Sequence, residues 1–142
     1  MRMPKLEGIK SEHLELYWPH VERWIAAAIK DAGHCWTASD LKRELERELL
    51  QLWVIWLDGA MQGCICTHVF ESPRGKTCAM PVVYCSDMEA CIDVLSVIEA
   101  WAKSIDCVRL QGEGRAGWER VLRPHGWKKI TTQVEKVICD GV

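Results

Sequence analysis

A mixed α/β (α+β) domain is the fold that the sequence predicts, and three observations predict it. Two amphipathic helical stretches come first, within residues 17–50. Two apolar runs of strand composition then flank Asp58-Gly59, the dipeptide of a two-residue hairpin. After them a long helical stretch stands between two strand-like runs, the pattern of a crossover. Antiparallel neighbours in the first half and a crossover in the second give a mixed, mostly antiparallel sheet flanked by helices. The 142 residues suffice for one such domain and are too few for two, so residues 1–142 are read as a single unit.

Residues 1–10 read as a short strand or a loose arm. From Trp18 a helix is expected, with Pro19 in its first turn, where a missing N–H costs nothing. Trp18, Val21, Ile25 and Ala28 recur at helical spacing, and Gly33 is placed to end the helix. Thr37 with Asp40 three residues on is a capping-box signature, and Leu41, Leu45 and Leu49 follow at every fourth position. The hairpin strands are expected over 52–57 and 60–70, with Gly63 as a candidate bulge. Trp53 and Trp56 fall on opposite strand faces, one toward the core and the other a candidate exposed contact. Ser72-Pro73-Arg74-Gly75 turns into a third strand, 77–84, whose Pro81 interrupts the ladder. A helix is expected from Met88 to Ser104, with Ile92, Leu95, Ile98, Glu99 and Ala102 marking successive turns. Cys107–Gln111 reads as a short strand. Gly114 to Leu122 reads as a short helix stopped by Gly126, and the alternating segment 129–138 as a final strand. The sheet with its two helices thus occupies 51–142.

With 18 basic against 20 acidic residues the net charge is −2, which disfavours nucleic acid or an anionic membrane as a partner. No apolar run approaches the ~20 residues that span a bilayer, and the first ten residues lack the apolar stretch of a signal peptide. A cytoplasmic protein is expected. Eight cysteines are many, but they are scattered, with no CxxC pair and no HxxxH, so neither a metal site nor a disulfide is expected. They read as buried thiols behaving as small hydrophobes.

The element order resembles the GNAT acyltransferase superfamily. The second half is also similar to a group of small GNAT-like proteins of tailed phages. The matching residues are Ile98-Glu99, Trp101-Ala102, Cys107, Gly114-Arg115-Ala116-Gly117-Trp118, Leu122, Gly126-Trp127 and Glu135-Lys136, with Leu52-Trp53 and Thr67 fitting earlier. The resemblance covers roughly residues 50 to 138.

The superfamily resemblance implies acetyl-CoA as the cofactor of an active member. Its arm would run beside the strand at Val83 and Tyr84, its pyrophosphate would lie at the following loop, around Ser86, and Arg115 and the helix start at Gly117 are a further place for a phosphate. The superfamily's loop is glycine-rich and carries an Arg or Gln. The stretch here, Tyr84-Cys85-Ser86-Asp87-Met88-Glu89-Ala90-Cys91, has no glycine and no arginine, and Asp87 and Glu89 bring negative charge. Carboxylates at a helix start are ordinary caps. The position of the superfamily's tyrosine acid, four residues before the Gly126-Trp127 pair, is Leu122, which cannot donate a proton.

Three other candidates are weaker. His68, near Thr67 and Glu71, stands where a GNAT enzyme places a base, but no partner is defined by spacing, and it also reads as an ordinary strand histidine. Gly112-Glu113-Gly114-Arg115-Ala116-Gly117 matches GxGxxG, yet a dinucleotide fold needs a further βαβ unit, and only 25 residues follow Gly117. His34-Cys35 lacks a third orienting group. The expected function is therefore a GNAT scaffold with a degenerate cofactor loop, needing no cofactor. It would serve as a structural or interaction protein with a phage or host protein partner, in the host cytoplasm or a virion. The alternative is an acetyl-CoA-dependent N-acetyltransferase of undefined acceptor.

Overall fold

The computed structural model describes residues 4–32, 35–114 and 117–139. Five strands form one sheet in the order β1 (Lys5–Ile9), β2 (Gln51–Leu57), β3 (Ala60–Ser72), β4 (Gly75–Cys85), β5 (Cys107–Gly112). The first four are antiparallel neighbours, and β5 lies parallel to β4. The helices are α1 (Leu14–Ala32), α2 (Ala38–Glu46), α3 (Met88–Ser104) and α4 (Gly117–Leu122). Among the described residues no helix is long and apolar enough to cross a membrane.

The open choice at the N-terminus resolves as a strand, paired from Lys5 opposite Trp56 to Ile9 opposite Leu52. Helix α1 begins four residues before the expected Trp18, after a 3₁₀ turn at Ser11–His13, and so Pro19 lies inside it. Burial decides the start: Leu14, Trp18, Val21 and Ile25 form one continuous stripe, and Leu14 is 3% exposed. Anchoring one such side chain is worth about 1.5–3 kcal/mol, comparable to the cost of an interior proline. Gly33, the expected helix stop, and His34 lie outside the described residues.

Thr37 caps α2 as the sequence predicts. Its hydroxyl accepts from the Asp40 N–H at 3.2 Å, and the Asp40 carboxylate accepts from the Thr37 N–H at 2.9 Å. The helix ends at Glu46, short of the expected residue 50, because the chain turns left-handed at Glu48 (φ 61°). That turn exposes Leu49 and buries Leu50 in its place.

The hairpin forms at Asp58-Gly59, both with positive φ (54° and 79°), which matches the twist of the flanking strands. Gln62 is the extra residue of a bulge between the Ile55–Gly63 and Trp56–Met61 pairs. Gly63 then meets β4 so closely that a Cβ would drive into the Tyr84 carbonyl and stand 2.9 Å from the Cys85 Cα. Trp53 and Trp56 do face opposite sides, but both are half-buried. Trp53 packs edge-on against Trp101 (5.0 Å between centroids), and the Trp56 indole N–H donates to Glu7 Oε1 at 3.2 Å.

Helix α3 spans Met88 to Ser104 as expected, but Glu99 is exposed, and Cys91 and Val94 complete the buried stripe. The final strand expected over 129–138 is not formed. Residues 128–139 carry no ladder and are all exposed, with Val134 at 88% and Ile138 at 90%. The alternation is present, but a strand needs a neighbouring edge to satisfy its N–H and C=O groups. The sheet divides the core in two. Val21, Ile25, Leu41, Leu45, Val54 and Val82 pack on the α1–α2 face, and Ile55, Ile65, Met80, Val94, Ile98 and Leu122 on the α3–α4 face.

Candidate functional site

The feature that distinguishes this sheet is where β4 and β5 part. They pair from Lys76 opposite Cys107 to Met80 opposite Gly112, and the Glu113 N–H still reaches the Met80 carbonyl at 3.3 Å. Beyond Met80 they diverge. The divergence coincides with a bulge on β4: Cys66 pairs with Val82 and His68 with Ala79, so Met80 and Pro81 together oppose Thr67. Pro81 has no N–H to give a ladder, and the kink suits it. The Ser86 N–H donates to the Gln62 carbonyl. By the two-residue period, Tyr84 and Val82 turn their main-chain groups toward β3, and Val83 and Cys85 turn theirs toward the splay.

The space in the splay is small. A cavity of about 40 Å³ remains, bordered by Met80, Val83, Leu95, Glu113, Trp118 and Trp127. Pockets that hold drug-sized ligands are commonly ~300–1,000 Å³. The Trp118 indole lies over Gly114, where a Cβ would stand 2.9 Å from its Cδ1. Trp127 and the buried Leu122 close the same side. A larger cavity of about 210 Å³ lies at the β1–β2 side, between Ile9, Leu14, Leu45 and Leu50, where Ser11 donates to Glu48 at 2.7 Å. It is remote from the splay and brings together no set of groups for chemistry.

At the β4–α3 junction the Ser86 and Ala90 donors are already engaged. The Ser86 N–H is on Gln62 O (3.2 Å), and the Ser86 hydroxyl is on Gln62 Oε1 (2.9 Å). The Ala90 N–H donates to the Asp87 carboxylate at 3.1 Å. Asp87 thus caps α3 and places its own negative charge at the positive end of the helix. A pyrophosphate there would meet a carboxylate in the position where it needs donors.

The other sequence-designated residues are dispersed. Tyr84 stacks on Trp24 of α1 (5.8 Å, 10° between planes), on the face away from α3. Val83 is half-buried on the α3 face, against the splay. Gly117 opens α4 with open space where a Cβ would stand, and Arg115 lies outside the described residues. His68 is exposed on β3 and approaches Phe70 (5.7 Å), which gives it no orienting carboxylate. Between β5 and α4 the GxGxxG stretch does connect a strand to a helix, but no strand follows among the described residues.

Two arrangements escape sequence reading. Thr67, fully buried, accepts from the Trp53 indole (3.0 Å) and donates to Gln51 Oε1 (2.8 Å), locking the β2–β3 register beneath the β4 bulge. Cys85 and Cys91 meet across the β4–α3 junction. A hydrogen bond from the Cys91 thiol holds Cys85 down to about 7, against the opposing effect of burial, with help from the Asp87 main chain. Donating that bond, together with burial, raises Cys91. In its thiol form Cys85 donates to the Asp87 carbonyl at 3.1 Å. Burial pushes Cys66 and Cys78 up to about 12. Among the described residues no group of three or more His, Cys, Asp or Glu is placed to hold a metal.

No protein-family model matches the chain, and no curated protein sequence does. Solved structures do. A probable acetyltransferase superposes with a TM-score of 0.70 at 14% identity, over 96% of this chain and 99% of that one. A predicted acetyltransferase with acetyl-CoA from Clostridium acetobutylicum gives 0.68 at 13% identity, over 95% and 96%. A GNAT family acetyltransferase from Staphylococcus aureus gives 0.62 at 12% identity, over 95% and 98%. The fold is therefore the GNAT fold along nearly the whole chain. At such identities the likeness carries the fold and not the activity.

Proposed function

We propose that this GNAT-fold chain acts through contact with another protein and not through acyl transfer. The observation that carries the reading is the filled splay. Trp118 and Trp127 leave about 40 Å³ beside β4, where the resemblance puts the arm of acetyl-CoA. The β4–α3 loop adds to it: Asp87 occupies the helix start, and the Ser86 N–H is spent on β3. Where an acid for the leaving thiolate would be needed, Leu122 is packed in the core. Carrying forward the sequence resemblance at Gly114–Trp118 and Gly126-Trp127, we take the chain as a small tailed-phage type of protein, virion-associated or host-interacting.

A second reading keeps one specific observation in its favour. The Met80–Pro81 bulge and the parting of β5 turn the main chain of Val83 and Cys85 toward the splay, as a pantetheine arm would require. An acetyl-CoA-dependent N-acetyltransferase would then need both tryptophans to swing out. The two readings separate in a thiol-release assay with acetyl-CoA and a panel of amines, including lysine peptides and polyamines. Release at the uncatalysed rate agrees with the contact protein. Amine-dependent turnover that rises in Trp118→Ala, which opens the splay, establishes the enzyme.

A further inference from the structure

We propose that Cys85 and Cys91 form a reversible disulfide across the β4–α3 junction, Cys85 being the thiol that meets the oxidant and Cys91 the thiol that resolves it. The inference goes beyond contact with another protein and is independent of whether acetyl-CoA binds. Geometry brings the two residues together. The Asp87 carbonyl accepts from the Cys91 N–H at 3.0 Å and from the Cys85 thiol at 3.1 Å, so one oxygen ties both. The Cys91 thiol in turn donates to the Cys85 sulfur. Ser86, next to Cys85, is held to Gln62 of β3 through its N–H and its hydroxyl, which fixes the strand end from the other side. Access differs between the two thiols: Cys85 is half-buried and Cys91 fully buried. The groups that face Cys85 are Cys91 and Asp87 at the start of α3 and Cys64 on β3. The Cys91 hydrogen bond, aided by the Asp87 main chain, outweighs burial and the Asp87 charge and holds Cys85 down to about 7. A large share of it is therefore thiolate near neutrality, which is the reactive form.

The oxidant is of the hydroperoxide class, hydrogen peroxide in the simplest case. The Cys85 thiolate attacks a peroxide oxygen: an S–O bond forms, the O–O bond breaks, and the departing hydroxide takes up a proton as water. The Cys85 sulfur is oxidised and the peroxide reduced. The Cys91 sulfur then attacks the Cys85 sulfenic acid. The S–S bond forms, the S–O bond breaks, and the second hydroxide leaves with the Cys91 proton as water. Two thiols and one peroxide give one disulfide and two waters, and a small dithiol reverses the bond by thiol–disulfide exchange. Burial keeps Cys66 and Cys78 up to about 12, so they do not compete as nucleophiles. The bond closes a ring over residues 86–90. It removes the Cys85 donor from the Asp87 carbonyl and ties the first turns of α3 covalently to the end of β4.

The test is a hydrogen peroxide titration of the full, reduced chain, with the remaining thiols then alkylated in denaturant without reductant. Cleavage after lysine and arginine and before aspartate separates the pair: residues 77–86 carry Cys78 and Cys85, and residues 87–92 carry Cys91 alone. The expected result is peptide 77–86 joined to 87–92 with Cys78 alkylated, the link disappearing after treatment with a dithiol. Cys85 should be consumed at least about tenfold faster than the buried Cys66 and Cys78. Cys91→Ala should abolish the link and leave Cys85 as a sulfenic acid that dimedone captures. The native chain decides the matter even where that variant fails to fold. A Cys85 that stays a free thiol under peroxide overturns the proposal. So does a native Cys85 that is oxidised without joining Cys91, or that joins a different cysteine.

Discussion

Cys85 and Cys91 lie on different elements, one at the end of β4 and one in the first turns of α3, yet their thiols share a hydrogen bond. The consequence is a pH dependence with a definite sign. Cys85 is held to about 7, so it is mostly thiol at pH 6 and mostly thiolate at pH 8, and the thiolate is the nucleophile. Its alkylation by iodoacetamide, followed residue by residue by mass spectrometry, should rise through about pH 7. Cys66 and Cys78, pushed up to about 12, should stay unmodified in the folded protein. Cys91→Ala removes the donor and should return the Cys85 midpoint upward toward the ordinary thiol value. A midpoint that Cys91→Ala leaves in place would show that the pair has been misread. None of this was legible in the sequence, where the two thiols are scattered singles, because their meeting depends on how the strand hands over to the helix. Gly63 is a contrasting case. Its place inside a strand run signals a bulge, whose extra residue is the adjacent Gln62, while Gly63 itself is the point of closest approach to β4. Gly63→Ala must displace the β4 main chain at Tyr84, and a cost of about 1–3 kcal/mol is expected, read as a lowered urea midpoint with the slope unchanged.

At the scale of elements, legibility follows how local the determining interaction is. The Asp58-Gly59 turn and the Thr37–Asp40 box are settled within four residues, and both form as the sequence predicts. Thr37→Ala removes the acceptor for the Asp40 N–H and should destabilise the protein by about 1 kcal/mol, with Thr37→Ser recovering most of it in the same thermal melts. The start of α1 and the end of α2 are decided instead by tertiary burial. Leu14 and Leu50 gain a core that the proline at position 19 and the apolar Leu49 do not reveal. The segment 129–138 illustrates the same limit from the other side. Its alternation is genuine, but alternation specifies a face and not a neighbour, and no ladder forms.

For the whole molecule, the five-stranded mixed sheet flanked by four helices superposes on an acetyltransferase structure along nearly the whole chain. The fold was readable from element order. The acidic, glycine-free loop was readable as well, and the structure gives it a physical role as the cap of α3. What the sequence did not reveal is that Trp118 and Trp127 fill the splay, since only the packing of α4 against the sheet brings them there. The central claim is that this space is closed to the cofactor of the fold's catalytic members. A carboxylate about 4 Å from a phosphate costs about 1 kcal/mol even in water, and the missing volume adds a steric term that no charge substitution relieves. Isothermal titration of the native chain with acetyl-CoA tests the claim most directly. The account predicts no saturable heat up to about 1 mM ligand, which corresponds to binding weaker than roughly −4 kcal/mol. Saturable one-to-one binding with a micromolar Kd would contradict it.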